Sequence, residues 1–181
     1  MQIISGKYRG KKLLHYSNRQ TRPTIGRIRE SIFNVLADML PNGFADVTVL
    51  DLFAGSGAYG LESYSRGAKE VVLNDVDAKA VEVIRKNAKA MGCNAVIMQK
   101  DYLSALKELS DREFDIVFLD PPYDSDFGLL AIDKVKVKEG GVIVFETDET
   151  FAEKHDIEFA GYHVKQKIYG DKIIYFLRKV D

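Results

Sequence analysis

The sequence predicts an α/β protein built on a doubly wound, mostly parallel sheet, and three observations carry that reading. Apolar runs of strand length near 47–52, 70–74, 95–99, 115–119 and 141–146 alternate with helical stretches near 58–66, 78–91, 102–109 and 127–134. The runs are continuously apolar, as strands are when a parallel sheet is covered on both faces. Glycines and carboxylates gather at the carboxyl ends of these runs, the rim where open parallel sheets hold ligands.

Taken in order, Gln2 to Ser5 and Gly10 to His15 read as a small β-hairpin turned around Lys7-Tyr8-Arg9, and Tyr16 to Thr24 as loop. Ile25 to Leu40 carries apolar residues at 28, 32, 35, 36 and 39, a helical stripe that Pro41 and Gly43 end. The five strands and the four helices between them follow. The tail differs: Tyr162 to Tyr169 and Lys172 to Lys179 flank Gly170-Asp171, a two-residue hairpin signal. At 181 residues the chain fits one compact domain, with residues 1–24 as a basic arm on a body of 25–181.

Composition excludes several classes. Cys93 is the single cysteine, so no internal disulfide can form, and neither a C-x-x-C pair nor a His/Cys cluster offers a metal site. His15, His155 and His163 are scattered. The absence of a signal peptide, a lipidation signal or an apolar run of spanning length leads us to expect a cytoplasmic protein without membrane contact. Net charge is −1, but it is unevenly placed: residues 1–36 hold eight Lys or Arg against Glu30, a net +7, and the remainder carries −8. A basic arm on an acidic body fits a partner whose phosphates meet one face. Lys7, Arg9, Lys11, Arg22 and Arg27 are the candidate contacts.

Two constellations carry chemistry. Residues 120 to 123 read Asp-Pro-Pro-Tyr, directly after the apolar run Phe114 to Leu119. Proline lacks a backbone donor and biases the residue before it towards extended conformations, so this turn presents acceptors. Asp120 and the Pro121 carbonyl can hold the two hydrogens of an exocyclic amino group, whose lone pair is otherwise shared with the ring, while Pro122 stiffens the turn. Tyr123 can stack on the base. By itself the tetrapeptide would also suit a stiff strand-to-helix loop.

The second constellation is Val49-Leu50-Asp51-Leu52-Phe53-Ala54-Gly55-Ser56-Gly57-Ala58-Tyr59-Gly60, a strand running into a glycine-rich turn and a helix. Gly55, Gly57 and Gly60 satisfy G-x-G-x-x-G, so a nicotinamide dinucleotide competes for the reading. Asp51, just upstream and suited to a cationic amino-acid end, favours a different adenosyl ligand. Asp75, at the tip of the second strand, is the candidate for a ribose diol, with Asp77 as substitute. Asp101 could accept from an adenine amine and the Tyr102 amide reach its ring, although each such acid could equally cap the next helix.

These residues carry a family resemblance. Asp51 to Gly60 resembles the S-adenosylmethionine loop of class I methyltransferases, and Asp120 to Tyr123 resembles the amino-methyltransferase motif D/N-P-P-Y/F. With Gly6-Lys7-Tyr8-Arg9-Gly10-Lys11-Lys12-Leu13, Arg22-Pro23-Thr24 and Arg27-Ile28-Arg29-Glu30-Ser31-Ile32-Phe33-Asn34, the whole chain is similar to the bacterial small-subunit ribosomal RNA guanine-N2 methyltransferases of the RsmD type. One departure stands out: Ile25-Gly26 occupies the place where that family usually has an acid after Arg-Pro-Thr.

The resemblance implies a Rossmann-like methyltransferase sheet closed by the C-terminal antiparallel hairpin. It implies S-adenosyl-L-methionine along Asp51, Phe53, Ala54, Gly55, Ser56, Gly57 and Gly60, with ribose on Asp75 and adenine near Asp101 and Tyr102. It also implies action on ribosomal RNA, free or within a small-subunit assembly intermediate; a monomer is expected, and with no activated cysteine or serine evident, direct transfer without a covalent enzyme intermediate. An adenine-N6 methyltransferase, a nicotinamide enzyme and a non-catalytic RNA-binding factor on the same fold remain as alternatives.

Overall fold

The structure, a computed structural model, describes residues 1–15, 23–122, 125–155 and 157–180. Helix α1 (Pro23–Met39) opens the body. It begins two residues before the apolar stripe suggests, because proline's fixed φ suits the first helical turn. Ile28, Ile32, Val35 and Leu36 bury one face of it, and it stops short of Pro41, which disfavours helical backbone in the residue before it.

Strands and helices then alternate: β1 (Thr48–Asp51), α2 (Ala58–Ser65), β2 (Glu70–Asn74), α3 (Ala78–Ala90), β3 (Val96–Met98), α4 (Tyr102–Glu108), β4 (Phe114–Leu119), α5 (Phe127–Ile132) and β5 (Val137–Asp148). A short α6 (Glu149–His155) leads to the hairpin β6 (Tyr162–Tyr169) and β7 (Lys172–Lys179). The order across the sheet is β3-β2-β1-β4-β5-β7-β6. The first five strands are mutually parallel, and β7 runs antiparallel to both β5 and β6.

Two elements depart from the sequence reading. Strand β5 begins at Val137, four residues before the apolar run, and its register against β4 jumps between the pairs Phe114–Val137 and Ile116–Val142. The extra residues, Lys138-Glu139-Gly140, bulge out, with Gly140 at φ 71°. Helix α6 has no counterpart in the sequence reading because it buries only Phe151, too little for a periodic pattern. Its start is held by Asp148, whose side chain accepts from the Phe151 amide at 2.7 Å.

The sheet is buried on both faces. Phe33, Leu36, Val49, Leu61, Leu73, Ile84, Phe118 and Phe176 pack under α1, α2 and α3. Leu50, Leu106, Val117, Ile132, Phe145 and Leu177 pack under α4, α5 and α6. Each large side chain fully withdrawn from water stabilises the fold by about 1.5–3 kcal/mol.

The amino-terminal segment is part of this body. Ile3 and Leu13 are buried in the α1–α3 core, and Gln2 bridges Lys12 antiparallel. Glu62, fully buried on α2, accepts from the amides of Ile4 at 2.7 Å and Ser5 at 2.9 Å and from Arg66 Nε at 2.8 Å. Gly6 adopts φ 83°, and a side chain there would fall 1.8 Å from the Ser65 carbonyl oxygen. Glycine alone lets the arm lie this close to α2. Among the described residues no helix is long and apolar enough to cross a membrane, and no cluster of three or more His, Cys, Asp or Glu is placed to hold a metal.

Candidate functional site

The carboxyl ends of β1, β2, β3, β4 and β5 form one rim. After β1 the chain threads between its neighbours: the Leu52 amide donates to Phe118 of β4 at 3.2 Å and the Ala54 amide to Asn74 of β2 at 2.9 Å. Gly55 sits at φ 57°, and a side chain there would meet open space. The left-handed turn therefore needs glycine for its backbone, while the space beside it stays free for a ligand. Gly57, the N-cap of α2, is also left-handed, at φ 80°.

Asp75 anchors this loop. One carboxylate oxygen accepts from the Gly55 amide at 2.8 Å and the other from the Asp77 amide at 2.9 Å. Asp75 is partly exposed, and each oxygen keeps lone-pair capacity for a hydroxyl. Asp77 instead caps α3, accepting from the Lys79 amide at 2.7 Å. Asp101 caps α4, accepting from the Ser104 amide at 3.0 Å. Hydrogen bonds from the Ser104 hydroxyl and amide hold its carboxyl below the ordinary range, and it is exposed at the rim. The Tyr102 ring lies 6.0 Å from Phe53 and stacks at 4.9 Å on Phe127, an apolar wall beside Asp101.

Asp51 and Gly60 differ from the sequence reading. Asp51 is 1 % exposed and accepts from the Gly60 amide at 3.1 Å. Burial raises its pKa to about 7, against the lowering effect of that bond, with Asp75 adding a like charge. Among the described residues no cation pairs with it. A side chain on Gly60 would fall 2.2 Å from Leu73 and 2.9 Å from Val71, so this glycine serves the packing of α2 on β2.

At the tip of β4 stand Asp120, partly exposed, and Pro121, buried against α5. A side chain on Gly128 would come within 2.3 Å of Phe145 and 3.0 Å of Pro121, so that glycine lets α5 press on the turn. The Pro122 carbonyl accepts from the Ser125 amide at 3.1 Å and its hydroxyl at 2.7 Å. Tyr123, and Arg22 of the basic set, lie outside the described residues. Lys7, Arg9, Lys11 and Arg27 are exposed. The Lys7–Gly10 turn rests at the foot of α2, where the Lys7 amide meets the Ser65 carbonyl at 2.7 Å.

Several rim residues escaped the sequence reading. Asn74 is buried and ties three strand ends together, donating to the Leu52 and Lys100 carbonyls at 3.0 Å each and accepting from the Lys100 amide at 3.2 Å. Glu146, two residues before the end of β5, is 3 % exposed. It accepts from the Tyr59 hydroxyl at 2.8 Å and pairs with Lys172. Tyr59 in turn stacks on Phe118 at 4.9 Å. Glu146 carried the same signal as the other acids, a carboxylate ending a buried strand. Lys172 had none, since it reaches the rim only through the register of the tail hairpin.

This strand order, with a reversed seventh strand, a glycine loop after β1 and an acid-proline turn after β4, is the α/β fold of class I methyltransferases. The family model described as conserved hypothetical protein 95 matches residues 1–178. The chain belongs to that family, the RsmD family of ribosomal RNA methyltransferases. It is 32 % identical over 157 residues to ribosomal RNA small subunit methyltransferase D of Haemophilus influenzae, covering 82 % of this chain and 79 % of that one. Among solved structures it resembles a hypothetical protein of Thermus thermophilus, with a TM-score of 0.82, 28 % identity and 99 % of each chain covered. The 16S rRNA N2 methyltransferase RsmC of the same organism, solved with AdoMet and guanosine, is similar over 91 % of this chain and 45 % of its own, with a TM-score of 0.67. At 24 % identity, that likeness speaks for the fold.

Proposed function

We propose that this chain transfers a methyl group from S-adenosylmethionine to the exocyclic N2 amine of a guanine in small-subunit ribosomal RNA, in the cytoplasm. The observation that carries the reading is the placement of Asp120 and Pro121 just past β4, the strand next to the one that launches the glycine loop. A donor on the loop and an amine on the turn would then share one crevice. Family membership favours guanine N2, because the acid-proline turn grips an amine without reading the ring that bears it.

The residues fit the donor. Asp75 offers a ribose diol two partly free oxygens, and the Phe53–Tyr102–Phe127 wall offers an adenine an apolar surface beside Asp101 and the Tyr102 amide. Asp51 is a desolvated carboxylate whose ionised form a nearby cation would favour. When bound, S-adenosylmethionine supplies an electrophilic methyl carbon on a sulfonium, whose bond to sulfur breaks with its electron pair left on sulfur. Asp120 and the Pro121 carbonyl hold the two amine hydrogens and free the nitrogen lone pair to form the new carbon–nitrogen bond. Asp120 accepts the proton that the nitrogen then sheds. Most of the acceleration is positioning and a preset field. On the RNA side, Lys7, Arg9 and Lys11 of the basic arm, with Arg22 of the same segment and Arg27 on α1, meet phosphates.

The test is incubation with labelled methyl donor and undermethylated small subunits, free ribosomal RNA or DNA, followed by digestion to nucleosides. N2-methylguanosine from the ribosomal substrates is the expected product. N6-methyladenosine, or bound RNA with no label incorporated, would overturn the reading.

A further inference from the structure

We propose that Lys172 is a positioning residue that keeps Asp120 ionised beside a second carboxylate, Glu146, and that Glu146 and Tyr59 form the fixture holding Lys172 in place. The inference rests on Asp120 being the acceptor for the target amine. It starts from the sheet register. β4 and β5 are parallel with Leu119 opposite Phe145, so one residue further on each strand stand Asp120 and Glu146. Adjacent strands lie about 4.8 Å apart, and side chains at paired positions point to the same face. Two carboxylates end up side by side at the rim, one of them almost fully buried.

Carboxylates so placed tend to share a proton. A protonated Asp120 would offer a hydrogen where the amine needs an acceptor. Lys172, opposite Asp148 on the antiparallel strand, removes this difficulty by donating from Nζ to Glu146 Oε1. The Tyr59 hydroxyl donates to Oε2 at 2.8 Å, and its ring is clamped on Phe118, two residues before Asp120. Tyr59 and Lys172 thus place a donor on each oxygen of Glu146; with Lys172 lost only Tyr59 still donates to it, and the charge of Glu146, no longer offset, bears on Asp120. The charge of Asp120 is felt by both partners: after its burial and Glu146, Asp120 is the next influence raising the pKa of Tyr59, and it likewise helps raise that of Lys172. Attraction between Lys172 and Asp120 acts on both groups, so the ammonium that gains stability also stabilises the carboxylate. The other charges facing the cluster are Arg29 from α1, felt by Tyr59, and Asp171 from the hairpin turn, felt by Lys172.

The experiment is the pH profile of single-turnover methyl transfer, with donor and ribosomal substrate saturating, for four proteins: the unsubstituted chain, Lys172→Met, Lys172→Arg and the double variant Lys172→Met with Glu146→Gln. Donor affinity and circular dichroism serve as folding controls. Lys172→Met should move the acid limb up by about one pH unit or more, a loss of about tenfold at pH below the limb of the unsubstituted chain that disappears above the shifted one. Lys172→Arg should hold the limb in place. The double variant, which removes the competing carboxylate along with the cation, should bring the limb back down. An equal loss at every pH in Lys172→Met, or a double variant whose limb stays where Lys172→Met put it, overturns the proposal. Should Lys172→Met fail to fold, Glu146→Gln alone decides: its limb should lie no higher than that of the unsubstituted chain, and a raised limb is contradictory. If the unsubstituted chain makes no N2-methylguanosine, it is the underlying function that falls; if it does and the limbs do not respond, only this inference does.

Discussion

Asp51 ties the end of β1 to the start of α2 through a carboxyl that holds its proton unusually well. Its carboxyl is buried beneath the glycine turn, one hydrogen bond from the Gly60 amide does not offset the desolvation, and its pKa rises to about 7. An acid raised in the folded state binds more protons there than when unfolded. The stability of the ligand-free protein from this group should therefore fall as pH climbs from about 4 to about 7, and level off above. A cationic ligand reverses the preference. Affinity for S-adenosylmethionine should strengthen about tenfold between pH 6 and pH 8, with proton release on binding below pH 7. Calorimetry in two buffers of different ionisation enthalpy checks this, and Asp51→Asn should flatten the dependence. A pH-independent affinity in the unsubstituted protein would remove Asp51 from any role beside the donor.

The arm and the tail hairpin show which elements a linear pattern reveals. The arm's turn was legible from Gly6 and Gly10, but its attachment to α2 was not, because it depends on Glu62, a charged residue in an apolar helix that reads as a surface position. Burying it costs little only while the Ile4 and Ser5 amides and Arg66 all donate to it. Glu62→Ala leaves those donors unpaired and should destabilise the fold by about 3 kcal/mol. The urea midpoint should fall at unchanged slope, and the salt dependence of RNA binding should flatten as the arm detaches. An unchanged midpoint would mean that the arm is held otherwise. Helix α6 and the first turn of β5 were illegible for a similar reason: one buried phenylalanine and a glycine bulge leave no period to count.

Across the whole molecule, topology converts scattered residues into one site. Four strand-end acids, Asp51, Asp75, Asp101 and Asp120, could be read from the chain because a buried parallel strand announces where it stops. What could not be read is how their duties divide. Asp51 is buried at the end of β1 beneath the loop, Asp101 also caps a helix, and Gly60 packs against Leu73, distinctions that need three-dimensional neighbours. Glu146 obeyed the same strand-end rule. Its pairing with Lys172 could not be read, because β7, folded back from the tail, delivers that lysine beside it. The charge asymmetry was equally legible as a sum, while the position of the Lys7–Gly10 turn at the foot of α2 was not, since it is set by hydrogen bonds to Ser65 and Glu62. The central claim is that this rim holds a methyl donor on the loop and an amine at the tip of β4, with Asp120 as the acceptor. Asp120→Ala tests it most directly, with donor affinity measured by calorimetry and methyl transfer in a single turnover. Affinity within a few-fold of the unsubstituted chain, with transfer slowed by about 10²-fold or more, is the predicted result. Near-normal transfer in that variant would contradict the account.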